Sequence, residues 1–304
     1  RALLGFGAAT FYLSTVREVK KYSSDKNFSL SVSYILFIGY SGGIIANAPF
    51  VALVNQAGWR NVLGIIGYLT LFVALIYIII LFIFKPTHIE HETNFSLKPF
   101  KEVLSKKENI NLYIFGSINY GLYYVLQSVI GNKFLQDFCL INIHTSAVIL
   151  SIMALVSAFA GTITAFISRC INNRRAIIFK IFSFLSLFSC LSVCVLLTLN
   201  IHSKIIALIF CIPSFIGSIS PVLILTLHLY NRYEVSATAV SIQNCAFFTM
   251  VGILGMVSGM LMNIFEPINQ NGVLIYSNYS YLLVFGLFFI LSVFEVICAL
   301  RIKD

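Results

Sequence analysis

Residues 39–60 read GYSGGIIANAPFVALVNQAGWR, and this stretch combines small residues, a proline and a polar amide inside an apolar run of membrane length. Gly39, Gly42, Gly43, Ala46 and Ala48 leave one helix face almost bare of side chains. Helices embedded in lipid associate most closely through such faces. Pro49 removes one helical donor and favours a bend. Two readings follow: a packing seam that doubles as a hinge, in which Gly39, Gly43 and Pro49 serve conformational change, or a tightly packed helix with no part in motion.

The rest of the chain has the same solvent preference. Of its 304 residues 59% are hydrophobic and only 10% charged, and the mean hydropathy is +0.93, which excludes a water-soluble domain of this length. A span needs about 20 apolar residues to cross roughly 30 Å of hydrocarbon. Nine such runs are expected, at about 1–16, 30–54, 61–84, 110–136, 143–167, 176–199, 204–227, 237–265 and 279–300. Backbone polar groups find no water at that depth, so the runs are read as helices of an all-α polytopic membrane protein.

Charge sets the expected orientation. Arg17, Lys20, Lys21 and Lys26, then Lys85, Lys98, Lys101, Lys106 and Lys107, then Arg169, Arg174, Arg175 and Lys180, then Arg232, and finally Arg301 and Lys303 crowd alternate connections. The opposite connections hold only Arg60, Lys133 and Lys204. By the positive-inside pattern the rich side, with the C-terminus, is cytoplasmic. The net charge of +9 is thus a matter of topology. No basic face interleaved with aromatic residues points to nucleic acid.

The glycine-rich run with its late proline, followed by Gly58-Trp59-Arg60, resembles the fifth helix of the major facilitator superfamily of secondary transporters. Arg1-Ala2-Leu3-Leu4-Gly5-Phe6-Gly7-Ala8-Ala9 is similar to that family's fourth-helix pattern R-x-x-x-G-x-G-x-A. Gly161 to Arg175 resembles a decayed copy of its loop signature, with Ser168 where the aspartate stands and Arg174-Arg175 two residues late. Ala48, and the absence of glycine from Phe50 to Val54, depart from the antiporter version of the fifth helix.

The resemblance implies a helical bundle of two pseudo-symmetric halves: residues 1–84 as the remainder of the first (helices 4–6), 85–109 as a cytosolic linker and 110–304 as the six-helix second half. It also implies three further spans before Arg1. Arg1 would then face the central cavity, or else mark the interfacial end of the first span.

Candidate solute contacts lie in the 110–136 run. Tyr120, Tyr123, Tyr124 and Gln127 fall at i, i+3, i+4 and i+7, hence on one helix face, with Asn119 beside them. Polar groups in lipid want partners, so the stripe faces either a solute path, as the resemblance implies for the seventh helix, or another helix as interhelical glue. In the 204–227 run Pro213 and Pro221 suggest a broken helix, and transporters use such helices beside their sites. Ser214 and Ser218 share a face there, as solute contacts or as back-bonds to their own helix.

Gly252, Gly255 and Gly259 make the following run a counterpart of the first seam. Arg169, Arg174 and Arg175 are conformational candidates through the loop signature, or ordinary cytosolic anchors. Glu295, the one acid well inside a span, is read either as a snorkelling side chain or as a proton relay.

Seven cysteines form no C-x-x-C pair, and mostly occupy apolar runs as small hydrophobes. His88, Glu90, His91 and Glu92 lack further ligands with structural spacing. No phosphate loop, zinc helix or nucleophile elbow occurs. Neither enzyme, metal nor cofactor is expected. The expectation is a secondary active transporter of a small organic solute, whether metabolite, organic anion, sugar or drug-like compound. A coupling proton or ion goes with it, in a plasma membrane or bacterial inner membrane. The alternative is a non-transporting remnant or assembly subunit.

Overall fold

The structure is a computed structural model describing residues 5, 7, 11, 14–16, 18, 19, 22–45, 48–84, 96–171, 174–202, 206–270 and 273–304. Arg1 and the His88–Glu92 patch lie outside the described residues. Three helices open the well-described part: α1 (Asp25–Ile45), α2 (Ala48–Ala57) and α3 (Trp59–Phe84). Residues 46 and 47, between α1 and α2, lie outside the described residues, and Pro49 is the second residue described in α2. Gly58 joins α2 to α3 at φ 77°, a left-handed conformation that favours glycine.

Within the expected linker stands a short helix, α4 (Lys98–Ser105). Next come α5 (Lys107–Val125), one π-helical turn (Leu126–Ile130) and α6 (Gly131–Asp137), continuous with one another. Further on, α7 (Ile143–Cys170) starts on Asn142, whose side chain accepts from the Thr145 amide at 2.8 Å. The chain continues through α8 (Arg175–Thr198), α9 (Ile206–Ile216), α10 (Ser220–Tyr230) and α11 (Tyr233–Met262). An antiparallel hairpin, β1 (Ile268–Gln270) with β2 (Val273–Ile275), leads to α12 (Asn278–Arg301). The hairpin was not anticipated from sequence.

The run expected to break at its prolines does so. Gly217 to Ile219 separate α9 from α10, and the Gly217 amide bonds back to the Pro213 carbonyl at 2.7 Å. Packing is dominated by α8 on α12, α1 on α7, and α5 on α11 and α12. One apolar cluster gathers Phe134, Phe138, Tyr281, Phe285 and Phe288, and a second gathers Phe115, Phe179, Phe182 and Leu223. By contrast the main packing of α3 among the described residues is on its neighbour α2, and its most apolar stretch is left unburied by them.

Six described helical stretches are long and apolar enough to cross a membrane: 59–83, α7, α8, Cys211–Tyr230, α11 and α12. Of the nine expected runs, 1–16 lies mostly outside the described residues and 30–54 includes residues 46 and 47, which also lie outside them. The helix from Lys107 to Asp137 has the length but carries asparagines, tyrosines and glutamines, and α1 contributes only a shorter apolar piece, Asn27–Gly39.

The two ends of the bundle differ in character. At one, Asn109 and Asn231 pair, Lys106 Nζ donates to the Tyr230 carbonyl at 3.1 Å, and the Tyr230 hydroxyl donates to the Lys303 carbonyl. The Asp304 carboxylate accepts from the Ala176 amide at 2.8 Å, placing a negative charge at the N-terminus of α8. At the other end Asp137, almost fully buried, pairs with Lys133 at 2.8 Å and accepts from the Tyr276 amide and the Tyr281 hydroxyl.

Candidate functional site

The seam between α5 and α11 holds a groove, and the expected polar stripe begins one turn along α5 from it. Two glycines on α5 bring its neighbours close. A Cβ at Gly116 would lie 2.5 Å from Leu223 Cδ1, and one at Gly121 would lie 2.7 Å from Met250 Cγ. Beside this contact runs a groove of about 500 Å³, walled by Tyr113, Ile114 and Ser117 on α5 and by Ser241, Cys245 and Thr249 among others on α11. Phe100 of α4 closes part of it.

Tyr120 lies one turn beyond Ser117. It stacks on Tyr124 (centroids 5.6 Å apart) and on Phe247 (4.8 Å), and meets Phe248 edge-on at 6.0 Å, in the offset and T-shaped geometries that aromatic quadrupoles prefer. Tyr120, Tyr124 and Gln127 are all half-buried. Gln127 falls inside the π-turn, where its side-chain carbonyl accepts from the Ser128 hydroxyl at 2.6 Å. Such turns often mark functional positions in helices, and nothing in Leu126-Gln127-Ser128-Val129-Ile130 announces one.

The other predicted contacts go elsewhere. Tyr123 is buried on a different side of α5, where a Cβ on Gly217 would come within 2.6 Å of the Tyr123 Cβ. Asn119 is buried and its amide donates to Glu295 Oε1 of α12 at 2.8 Å. Ser218 and Ser157 lace α7 to the broken span: Ser157 Oγ donates to the Ser214 carbonyl and Ser218 Oγ to the Ser157 carbonyl, each at 2.8 Å. Ser218 also reaches back to the Ser214 carbonyl at 3.1 Å, the back-bond anticipated from sequence. Ser214 Oγ is buried with no hydrogen-bond partner.

The glycine seams are open. A Cβ at Gly39, Gly252 or Gly259 would meet no described atom within 4 Å, and at Gly255 the nearest is Val129 Cγ2 at 3.8 Å. Gly43 is a helical residue of α1.

Arg169 lies in the last turn of α7, Arg174 caps α8, and Arg175 begins α8 beside Asp304. Ser168, at the aspartate position of the loop pattern, is buried and its hydroxyl is unpartnered. Nearby Arg232 grips Glu102 in a forked contact, Nε to Oε1 at 3.1 Å and Nη2 to Oε2 at 2.7 Å. That hydrogen bond holds the Glu102 carboxyl below the usual carboxylate range and pushes the Arg232 guanidinium up.

The family model of the Major Facilitator Superfamily matches residues 1–256, which is most of the 304-residue chain. The chain belongs to that superfamily. It is therefore an integral, multi-pass membrane protein from a family of membrane transporters. No curated protein matches it. Among the described residues of this superfamily member, no group of His, Cys, Asp and Glu side chains is placed to hold a metal.

Snorkelling, one of the two readings given to Glu295 from sequence, is overturned by its burial. The carboxyl is fully enclosed among α5, α8 and α12. Its partner was visible in the sequence only as an amide beside a tyrosine stripe. Helical spacing could not reveal that Asn119 turns away from that stripe.

Proposed function

We propose that the chain is a secondary active transporter, moving a small organic solute by alternating access and drawing on a coupling proton or ion. What supports this reading is superfamily membership together with one observation: Tyr120, Tyr124 and Gln127 stay half-open on α5, the helix that also walls a groove of about 500 Å³. That volume suits a drug-sized molecule. The groove is largely apolar, with hydroxyls from Ser117, Ser241 and Thr249, so it favours a solute with an aromatic or aliphatic body and few hydrogen-bonding groups. Tyr120 and Tyr124 offer stacking faces and Gln127 an amide. Ser214, Ser218 and Asn119 shape the surrounding helices in this reading. Arg169, Arg174 and Arg175, with the other basic loop residues, mark the cytoplasmic end, and the C-terminus lies on that side.

A transport test begins with ligand discovery. Compounds that raise the melting temperature of the purified chain are selected, then supplied in labelled form to proteoliposomes containing it. Saturable uptake, lost when Tyr120 and Gln127 are both replaced by alanine, supports the reading. Stabilising ligands that are never carried across support a binding remnant instead.

A further inference from the structure

Glu295 and Asn119 share one hydrogen bond, yet each retains a buried acceptor that nothing satisfies. Asn119 Nδ2 donates to Glu295 Oε1 at 2.8 Å, while Asn119 Oδ1 and Glu295 Oε2 have no partner. Both residues are enclosed, Glu295 completely. Buried polar atoms in folded proteins are almost always paired, and a buried charge without a counter-charge is the costliest exception.

The described surroundings supply no cation. From α8 come Ser186, beside the same carboxyl, and the thiol of Cys190; α12 itself adds Ser292 and the thiol of Cys298. From α5 comes Asn119. No Lys, Arg or His of these helices or of α11 acts on the carboxyl among the described residues.

One proton removes both defects. A carboxylic acid and a primary amide pair through two bonds in a ring: amide N–H to acid carbonyl, and acid O–H to amide oxygen. The first of those bonds is present, and the atoms that the second would join, Glu295 Oε2 and Asn119 Oδ1, are the two left unpaired.

We propose that Glu295 is a proton-binding site, holding a neutral carboxylic acid that Asn119 completes as an acid–amide pair clasping α5 to α12. The ligand is the proton itself, and the inference stands on these side chains independently of which solute, if any, is carried. Loss of the proton sets a carboxylate against the Asn119 carbonyl oxygen and loosens the clasp.

The experiment is infrared spectroscopy of the purified full chain at neutral pH, in the carbonyl region of protonated carboxylic acids, with melting curves over a pH series. A band is expected in the wild type, absent from Glu295→Gln, and moved to higher frequency in Asn119→Leu, where the acid loses its amide partner. Glu295→Gln keeps both ring bonds, so it folds and melts at or above the wild-type temperature. As pH rises, the wild type loses stability while the variant does not follow. Superimposable wild-type and Glu295→Gln spectra in this region overturn the proposal, because the side chain is then ionised. Failure of Glu295→Gln to fold also overturns it. So does stabilisation of the wild type, but not the variant, by added sodium or potassium, which identifies a metal-cation site instead.

Discussion

Asn109 and Asn231 bond each other twice: each side-chain amide donates to the other's oxygen at 2.9 Å, across α5 and the end of α10. The second hydrogen of each amide is used as well, on the Val103 carbonyl at 2.9 Å and the Leu227 carbonyl at 2.8 Å. Four polar hydrogens and both amide oxygens are thereby satisfied in a buried place, and α4, α5 and α10 are tied at one point. Asn231→Leu strands the Asn109 amide, a penalty of about 1–3 kcal/mol. A melting temperature lowered by several degrees in detergent is the expected result, and an unchanged one removes the pair from the stabilising contacts.

At the break in the 206–230 span, Gly217 leaves no room for a side chain. An added Cβ falls 2.6 Å from Tyr123 Cβ and 3.0 Å from the Pro213 carbonyl oxygen. Gly217→Ala forces α5 away from the break and costs about 1–3 kcal/mol. Gly161→Ala, whose nearest contact is the Ser218 carbonyl oxygen at 3.4 Å, is the milder control. Equal melting temperatures for the two variants would contradict this account of the junction.

For the solute path, Gln127→Ala distinguishes a ligand contact from interhelical glue. Each hydrogen bond lost to a solute is worth about 1 kcal/mol net, and roughly 1.4 kcal/mol is tenfold in affinity. Affinity is therefore expected to fall about five- to tenfold with melting and expression near normal. Lost stability with intact affinity would assign Gln127 to packing. Tyr123→Phe is expected to leave affinity unchanged, since Tyr123 is buried away from the groove.

The Glu102–Arg232 contact makes a prediction about pH. Arg232 depresses the Glu102 carboxyl in the folded chain, so the stability it adds is present above the unfolded carboxylate range and disappears as pH falls through the folded value. Wild type and Glu102→Gln are expected to differ in melting temperature near neutrality and to converge in acid. The difference is small, because the pair is solvent-exposed and salt weakens it.

Orientation is checked with single cysteines at Lys98 and Val273, both exposed and at opposite ends of the bundle, in a background lacking the exposed Cys170 and Cys245. Lys98→Cys is expected to react with an impermeant reagent only from the cytosol and Val273→Cys only from outside. Labelling of both from one side contradicts the expected topology.

Helix positions were largely legible from hydropathy, because length and apolarity alone select a spanning helix. The expected runs at 143–167, 176–199 and 279–300 lie within a few residues of α7, α8 and α12. The break beside Pro213 and Pro221 was legible too, since proline removes a donor wherever it stands. The π-turn was hidden because it is a change of backbone register with no residue type of its own. The Asn119–Glu295 pair was hidden for a different reason: a helical wheel orders residues on one helix but does not say which helix each face meets. Close sliding at Gly252 and Gly259 was inferred from composition alone, and the described neighbours leave that face open.

The clasp between Asn119 and Glu295 joins positions 176 residues apart in the chain, and that separation sets a schedule for biogenesis. At a synthesis rate of roughly 5–20 residues per second, Asn119 is made on the order of ten seconds or more before its partner exists. Throughout that interval α5 carries an amide with no acid to meet it, in a helix whose tyrosines and glutamine still lack α11. Water, lipid headgroups or the insertion machinery must hold it. α3 differs: it is the most apolar of the six spanning stretches and the described residues leave its apolar stretch unburied, so its own hydropathy suffices to carry it from the translocation channel into lipid. A ribosome stalled between α5 and α12 therefore leaves a nascent chain with its apolar span settled and its polar span still needing an escort.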